Sequence, residues 1–432
     1  MLLSVWILLL LIFNNYQIIN AANDDDKLIF CMYLTRSAER QADGNFQVEY
    51  IDERYCTHLI YAYMGIDDNG VIKSLNPILD FEEKSGRGNI RKFNNKKHYN
   101  VNLKTLVAVG GWDPTESSRR YSLIFLDEAN QDRFVKSTID FIVKHNFNGL
   151  ALHWTYPGLN GGDVNRDKHN LTSLLRKLKE EFSKKNLLLV AICQGLTSQI
   201  DDSYNVKDVS QNVDYIYLTS YDLYGEWSKH IGIASGLYLH PNEEDKGLSV
   251  DSVVTNWINR GAEPKRIIMG IPLFGRTFTL KYENQTEPGA FHVGPGRKSQ
   301  HLQYAGIMSY MELCQVLDKE GWTIKWEDTQ KNPYAFKDDQ WIGFENTRSL
   351  EIKSRYVIDR KLAGIAAVFV EDDDFRGFCG EKYARLKLLN GYLRSGRESS
   401  FEYILNVSVF KKNLKDQYTQ CVYHLSQPLD IS

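Results

Sequence analysis

Eight short runs of apolar and β-branched residues recur along the chain. They stand at Leu28–Leu34, His58–Met64, Thr105–Gly111, Gly149–Trp154, Asn186–Cys193, Tyr215–Asp222, Ile267–Gly275 and Gly364–Val370. The runs are nearly continuous rather than alternating, as in strands covered on both faces of a parallel sheet. Helical spacing fills most of the gaps; Val135, Ile139, Ile142 and Val143 ahead of the fourth run are one case. Eight such units predict an α/β fold, a (β/α)8 TIM barrel. Side chains two apart on a strand share a face. Gly149, Ala151, His153 and Thr155 are therefore expected toward the lumen, and Leu150, Leu152 and Trp154 toward the helices.

One interval breaks the rhythm. The stretch from Phe278 to Lys361 is too long for a single helix, carries Gly and Pro early, and holds strand-like pieces at Thr323–Trp326 and Gln340–Phe344. It predicts a small α+β insertion over 279–360, between strands seven and eight, with the barrel formed by 23–278 and 361–393. Residues 394–432 read as a polar linker and a tail too small to hold a core without staples, and disorder is expected there.

The first 22 residues change the setting. An apolar run from Leu2 to Phe13, then Asn20-Ala21-Ala22 and an acidic stretch, has the form of a secretory signal peptide. Export makes disulfides plausible chemistry for the six cysteines and glycosylation for the sequons at Asn170, Asn284 and Asn406. A chain of 432 residues, 43% hydrophobic, can bury a large core, and a net charge of −3 gives no reason to expect nucleic acid or an anionic membrane as partner.

Several motifs carry a family resemblance. Gly110-Gly111-Trp112 closes the third run, Ser220-Tyr221-Asp222 the sixth with Trp227 beyond, and Pro272-Leu273-Phe274-Gly275-Arg276 the seventh; Asp373-Asp374-Phe375 follows the eighth. In this order they resemble glycoside hydrolase family 18 chitinases, from about Lys27 to Tyr392, and within that family the catalytically degraded chitinase-like proteins of arthropods and mites. The resemblance implies disulfides Cys31–Cys56 and Cys314–Cys379, leaving Cys193 and Cys421 unpaired.

The family's fourth strand reads Asp-Gly-x-Asp-x-Asp-x-Glu before Tyr-Pro. Here its four acidic positions hold Asn148, Ala151, His153 and Thr155. The proton donor would fall on Thr155, whose hydroxyl has no accessible acid pKa. The carboxylate that steadies the oxazolinium formed by the substrate's own N-acetyl group would fall on His153. A general acid alone is worth roughly 10²–10⁴ in rate. The resemblance thus implies a protein that is not an enzyme, and it brings no cofactor. One histidine without Cys, His or acidic partners at ligand spacing predicts no metal site.

By the same resemblance Trp112, Tyr156, Thr219, Tyr221, Asp222, Trp227, Phe274 and Arg276 match sugar-binding positions of the cleft, with Thr219 and Phe274 as departures. Met32 and Arg36 replace aromatics on the first loop, and Val368 stands where the family has a Trp floor, with Phe369 next. The expectation is a secreted, inactive chitinase-like protein that binds chitin or N-acetylglucosamine oligomers weakly. The alternative is a secreted signalling or interaction protein of the growth-factor-like group, with a protein receptor and no sugar function.

Overall fold

The computed structural model describes residues 26–113, 115–196, 199–318 and 321–394. The expected signal peptide, Asn406, Cys421 and the tail from 395 lie outside these residues. The chain divides into a unit of residues 27–389 and a second unit of 1–26 and 390–432. In the second unit only Asp26 and the end of the helix Ala384–Arg394 are described; everything below concerns the first.

Eight parallel strands form the frame: β1 (Leu28–Leu34), β2 (His58–Ile66), β3 (Lys104–Gly110), β4 (Gly149–His153), β5 (Leu188–Gln194), β6 (Tyr215–Thr219), β7 (Ile267–Pro272) and β8 (Gly364–Val368). Each pairs with its sequence neighbours, and β1 pairs with both β2 and β8, so the sheet closes. Met32 is the register partner of Val368 on one side and of Ile60 on the other. The lumen is a packed core that includes Phe30, Ile60, Leu106, Ala151, Val190 and Ile268. This is the expected (β/α)8 barrel.

The helices bury one face each against the strands. Glu128–Lys144 starts at Asp127, whose carboxylate accepts from the Ala129 N–H, and it buries Phe134, Val135, Ile139 and Ile142. Val143 does not share that face and is 61% exposed, a departure from the apolar stripe read in the sequence. At 100° per residue it stands at the edge of the stripe, about 40° beyond Ile139.

The insertion begins earlier than expected. Its six-stranded antiparallel sheet starts at Phe274–Leu280, which pairs with Gln340–Gly343 on one side and with His292–Pro295 and Ile307–Ser309 on the other. The run Ile267–Gly275 therefore spans two sheets. Both pieces are buried, so apolar continuity conceals the change at Leu273. The helix Thr347–Asp359, opened by a capping box of Asn346 and Ser349, lies within the expected insertion but packs against β8 as well as the strand Asn332–Lys337.

Covalent and ionic ties fasten these parts. Cys31–Cys56 joins β1 to the approach to β2, and Cys314–Cys379 joins the insertion to the loop after β8. Cys193 is free and buried on β5. Lys353, wholly buried, donates to Glu345 and to the Ser235 carbonyl, while Ser235 and Ser349 hydroxyls also donate to Glu345. Of the sequons, Asn284 is exposed in a turn of the insertion. Asn170 lies inside the helix Asp167–Ser183 with its amide nitrogen buried and without a hydrogen-bond partner. No described helix is long and apolar enough to cross a membrane.

Candidate functional site

Substrate sites of TIM barrels lie at the C-terminal ends of the strands, and a cavity of 460 Å³ opens there. All eight expected cleft residues line it. Trp112 follows β3, Tyr156 follows β4, and Thr219, Tyr221, Asp222 and Trp227 come from the end of β6 and the loop beyond. Phe274 and Arg276 enter from the first strand of the insertion, not from the barrel.

Local backbone explains how the aromatic walls are presented. Gly110 and Gly111 have φ of +105° and +85°, which L side chains rarely adopt. A Cβ on Gly111 would meet the Tyr63 ring at 2.6 Å. The turn then projects Trp112, 43% exposed, over the mouth. Trp227 is 58% exposed and lies under the Arg276 guanidinium, 5.0 Å from Cζ to the ring centre. Gly225 packs directly on the same indole; a Cβ there would meet it at 2.3 Å.

Arg276 and Asp222 form a two-pronged ion pair with N–O distances of 2.8 and 2.7 Å. Burial works against the Arg276 charge, but the Asp222 carboxylate outweighs it and holds the guanidinium above its ordinary range. Asp222 adopts φ +56°, a left-handed backbone that non-glycine residues hold only under constraint. Tyr156, pushed up to about 12 by burial, stays a neutral donor.

The four positions where the family carries acids have separate fates. Asn148 precedes β4 at the N-terminal end of the barrel strands, away from the cleft. Its Oδ1 accepts from the Thr105 N–H at 2.9 Å and from Lys97 at 3.4 Å, so its role is to splice β3 to β4. Ala151 belongs to the lumen core. His153 is fully buried, with Nδ1 3.0 Å from the Tyr63 hydroxyl and its ring edge-on to Trp112, centres 4.6 Å apart. Burial lowers its pKa to about 3, so the imidazole is neutral across the physiological range. Thr155 lies past the end of β4. Its hydroxyl donates to the Gly111 carbonyl at 2.9 Å rather than standing free at the mouth, a correction to simple strand alternation, which would continue it along the lumen face.

Val368 and Phe369 also correct the sequence reading. Val368 points into the lumen core with no exposure, while the adjacent Phe369 lines the cleft. An aromatic surface thus survives there, one residue on from the position where its loss was expected. Met32 is core, receiving the Tyr63 hydroxyl at 3.6 Å. Arg36 also lines the cleft and pairs with Asp113 at 3.3 Å.

Sequence reasoning missed Tyr63, Gln194 and Gln199. A bulge of β2 against β3, between Tyr61 and Met64, re-aims Tyr63 into the mouth. Gln194 ends β5, and its amide donates to Gln199. The last residue of each strand was the signal that could have found Gln194. Other buried carboxylates serve structure. Glu371 accepts from the Leu34 N–H and, with Asp372, holds Arg40; burial raises both acids. Of the described residues lining the cleft, Asp222 alone carries a carboxylate.

Known proteins share this fold. An endochitinase of Manduca sexta is 32% identical over 386 residues, covering 86% of this chain and 68% of that protein. A Group IV chitinase of Ostrinia furnacalis, solved in complex with allosamidin, superposes with a TM-score of 0.81 at 34% identity, covering 84% of this chain and 98% of that one. Human YKL-39, described as a pseudo-chitinase with retained chitooligosaccharide binding properties, gives a TM-score of 0.78 at 30% identity, covering 85% and 100%. Residues 29–373 match the family described as Glycosyl hydrolases family 18. With the closed barrel, the insertion after β7 and the aromatic mouth in place, the chain belongs to glycosyl hydrolase family 18.

Proposed function

We propose that this is a secreted family 18 protein without hydrolase activity, whose cleft binds chitin or N-acetylglucosamine oligomers weakly. One observation carries the reading. The single carboxylate among the described cleft residues is Asp222, and both its oxygens are engaged by Arg276. Glycoside cleavage needs a proton donor at the leaving oxygen and an anion or nucleophile opposite the developing charge. Thr155 spends its proton on a backbone carbonyl, and His153 is neutral, buried and shielded by Trp112.

Binding needs less. Sugar rings stack on exposed aromatic faces, and their hydroxyls and amides require a few fixed donors and acceptors. Trp112, Trp227 and Phe369 supply the faces; Tyr156, Asp222 and Arg276 supply the polar groups. The chitooligosaccharide binding ascribed to human YKL-39 lends support.

A fluorogenic chitobioside assay and calorimetry with N-acetylglucosamine oligomers test both halves. Turnover above a heat-killed control sinks the first, and no heat at millimolar tetramer sinks the second. A second reading, a secreted interaction protein with a protein receptor, is favoured by Val368 standing in the core where the family's Trp floor is expected. Cross-linking to a receptor that chitin oligomers fail to displace would select it.

A further inference from the structure

Beyond Trp227 the cleft opens into a second cavity of 610 Å³, which shares Leu196, Gln199 and Trp227 with the first. Its chemistry is different. Three acidic residues, Glu243, Glu244 and Asp245, line it against a single lysine, Lys229. None of the three forms an ion pair with a described residue. Glu243 is held in place: one carboxylate oxygen accepts from the Tyr224 hydroxyl and the other from the Asp245 N–H at 3.0 Å.

Two further groups in the wall are unpartnered. Gln330 is 1% exposed, and its amide oxygen meets no donor. Nδ1 of His230 likewise has no partner among the described residues. The annex therefore combines a positioned carboxylate, surplus negative charge, one unused amide acceptor and the Trp227 indole. An N-acetylated sugar brings one amide N–H and no charge to such a wall. A sugar with a free amine brings a cation with three donors.

We infer that this annex binds the ammonium group of a glucosamine unit, so that the preferred ligand is a chitin oligomer with one deacetylated end. The inference rests on the cleft taking N-acetylglucosamine units, with Trp227 as the wall along which one chain runs from cleft to annex.

Calorimetry of the full chain at about pH 6, where a primary amine is charged, tests it with the fully acetylated tetramer and tetramers carrying one glucosamine at each position. One terminally deacetylated isomer should bind about fivefold tighter than the acetylated tetramer, with the gain eroding as salt rises. The triple variant Glu243→Gln, Glu244→Gln, Asp245→Asn should lose the gain and keep its affinity for the acetylated tetramer. Lys229→Gln should enlarge the gain. Equal binding of all isomers, or a gain that survives the triple variant, overturns the annex assignment while leaving the cleft reading intact. Absence of binding by every tetramer overturns both.

Discussion

The buried His153 makes the fold pay for acid, and the amount can be worked out. Its pKa falls from 6.5 to about 3 through burial. Above pH 6.5 the imidazole is neutral in both folded and unfolded chains and contributes nothing. Between 6.5 and 3 the unfolded chain takes up a proton that the folded one refuses, so stability declines as pH falls. The slope is about 1.4 kcal/mol per pH unit, or about 3 kcal/mol between pH 6.5 and 4. His153→Asn keeps a neutral polar group beside the Tyr63 hydroxyl and removes the titration. Urea unfolding of both proteins at each pH isolates the effect: the difference curve should be level above 6.5 and fall below it. Contributions from Glu371 and the other raised carboxylates appear in both proteins and cancel. A level difference down to pH 4, or an imidazole resonance titrating near 6.5 in the folded protein, would refute the reasoning. The same neutrality predicts oligomer affinity with no step from His153 between pH 5 and 8.

Other perturbations separate structure from binding. Lys353→Ala strands Glu345 as a buried, uncompensated charge and should cost about 3–5 kcal/mol by chemical denaturation, with Lys353→Met plus Glu345→Leu recovering most of it. Trp227→Ala should weaken the acetylated tetramer by about tenfold in calorimetry without moving the unfolding midpoint, because the indole is largely exposed. Gly225→Ala should weaken it too, by pushing the indole off its seat, and a crystal structure would show the ring displaced. Thr155→Glu should yield no chitobioside hydrolysis, since a lone acid still lacks an anionic companion at His153; measurable turnover would contradict this.

How much could be read from residues alone follows physical lines. The barrel strands were legible because burial on both sides leaves long apolar runs, and Trp112, Tyr221, Asp222 and Arg276 were legible because they sit in motifs at strand ends. What escaped was anything set by a second chain segment. Phe274–Leu280 looks like a continuation of β7 because both are buried, and only pairing with Gln340–Gly343 reveals its sheet. Tyr63 reaches the mouth through a bulge that no local spacing announces. The direction in which Thr155 donates depends on Gly111, which is 44 residues away in sequence. The carboxylates of the annex lie in a polar stretch that reads as ordinary solvated loop until the cavity behind it is seen.

One strand carries a consequence for how this molecule could be taken apart. Arg276 reaches Asp222 from the sheet that the insertion builds, while Asp222 belongs to the barrel. The module is therefore not an ornament that could be deleted or grafted elsewhere. A minimal version cut back to the eight strands would forfeit one jaw of its own mouth and leave an acid with no counterion.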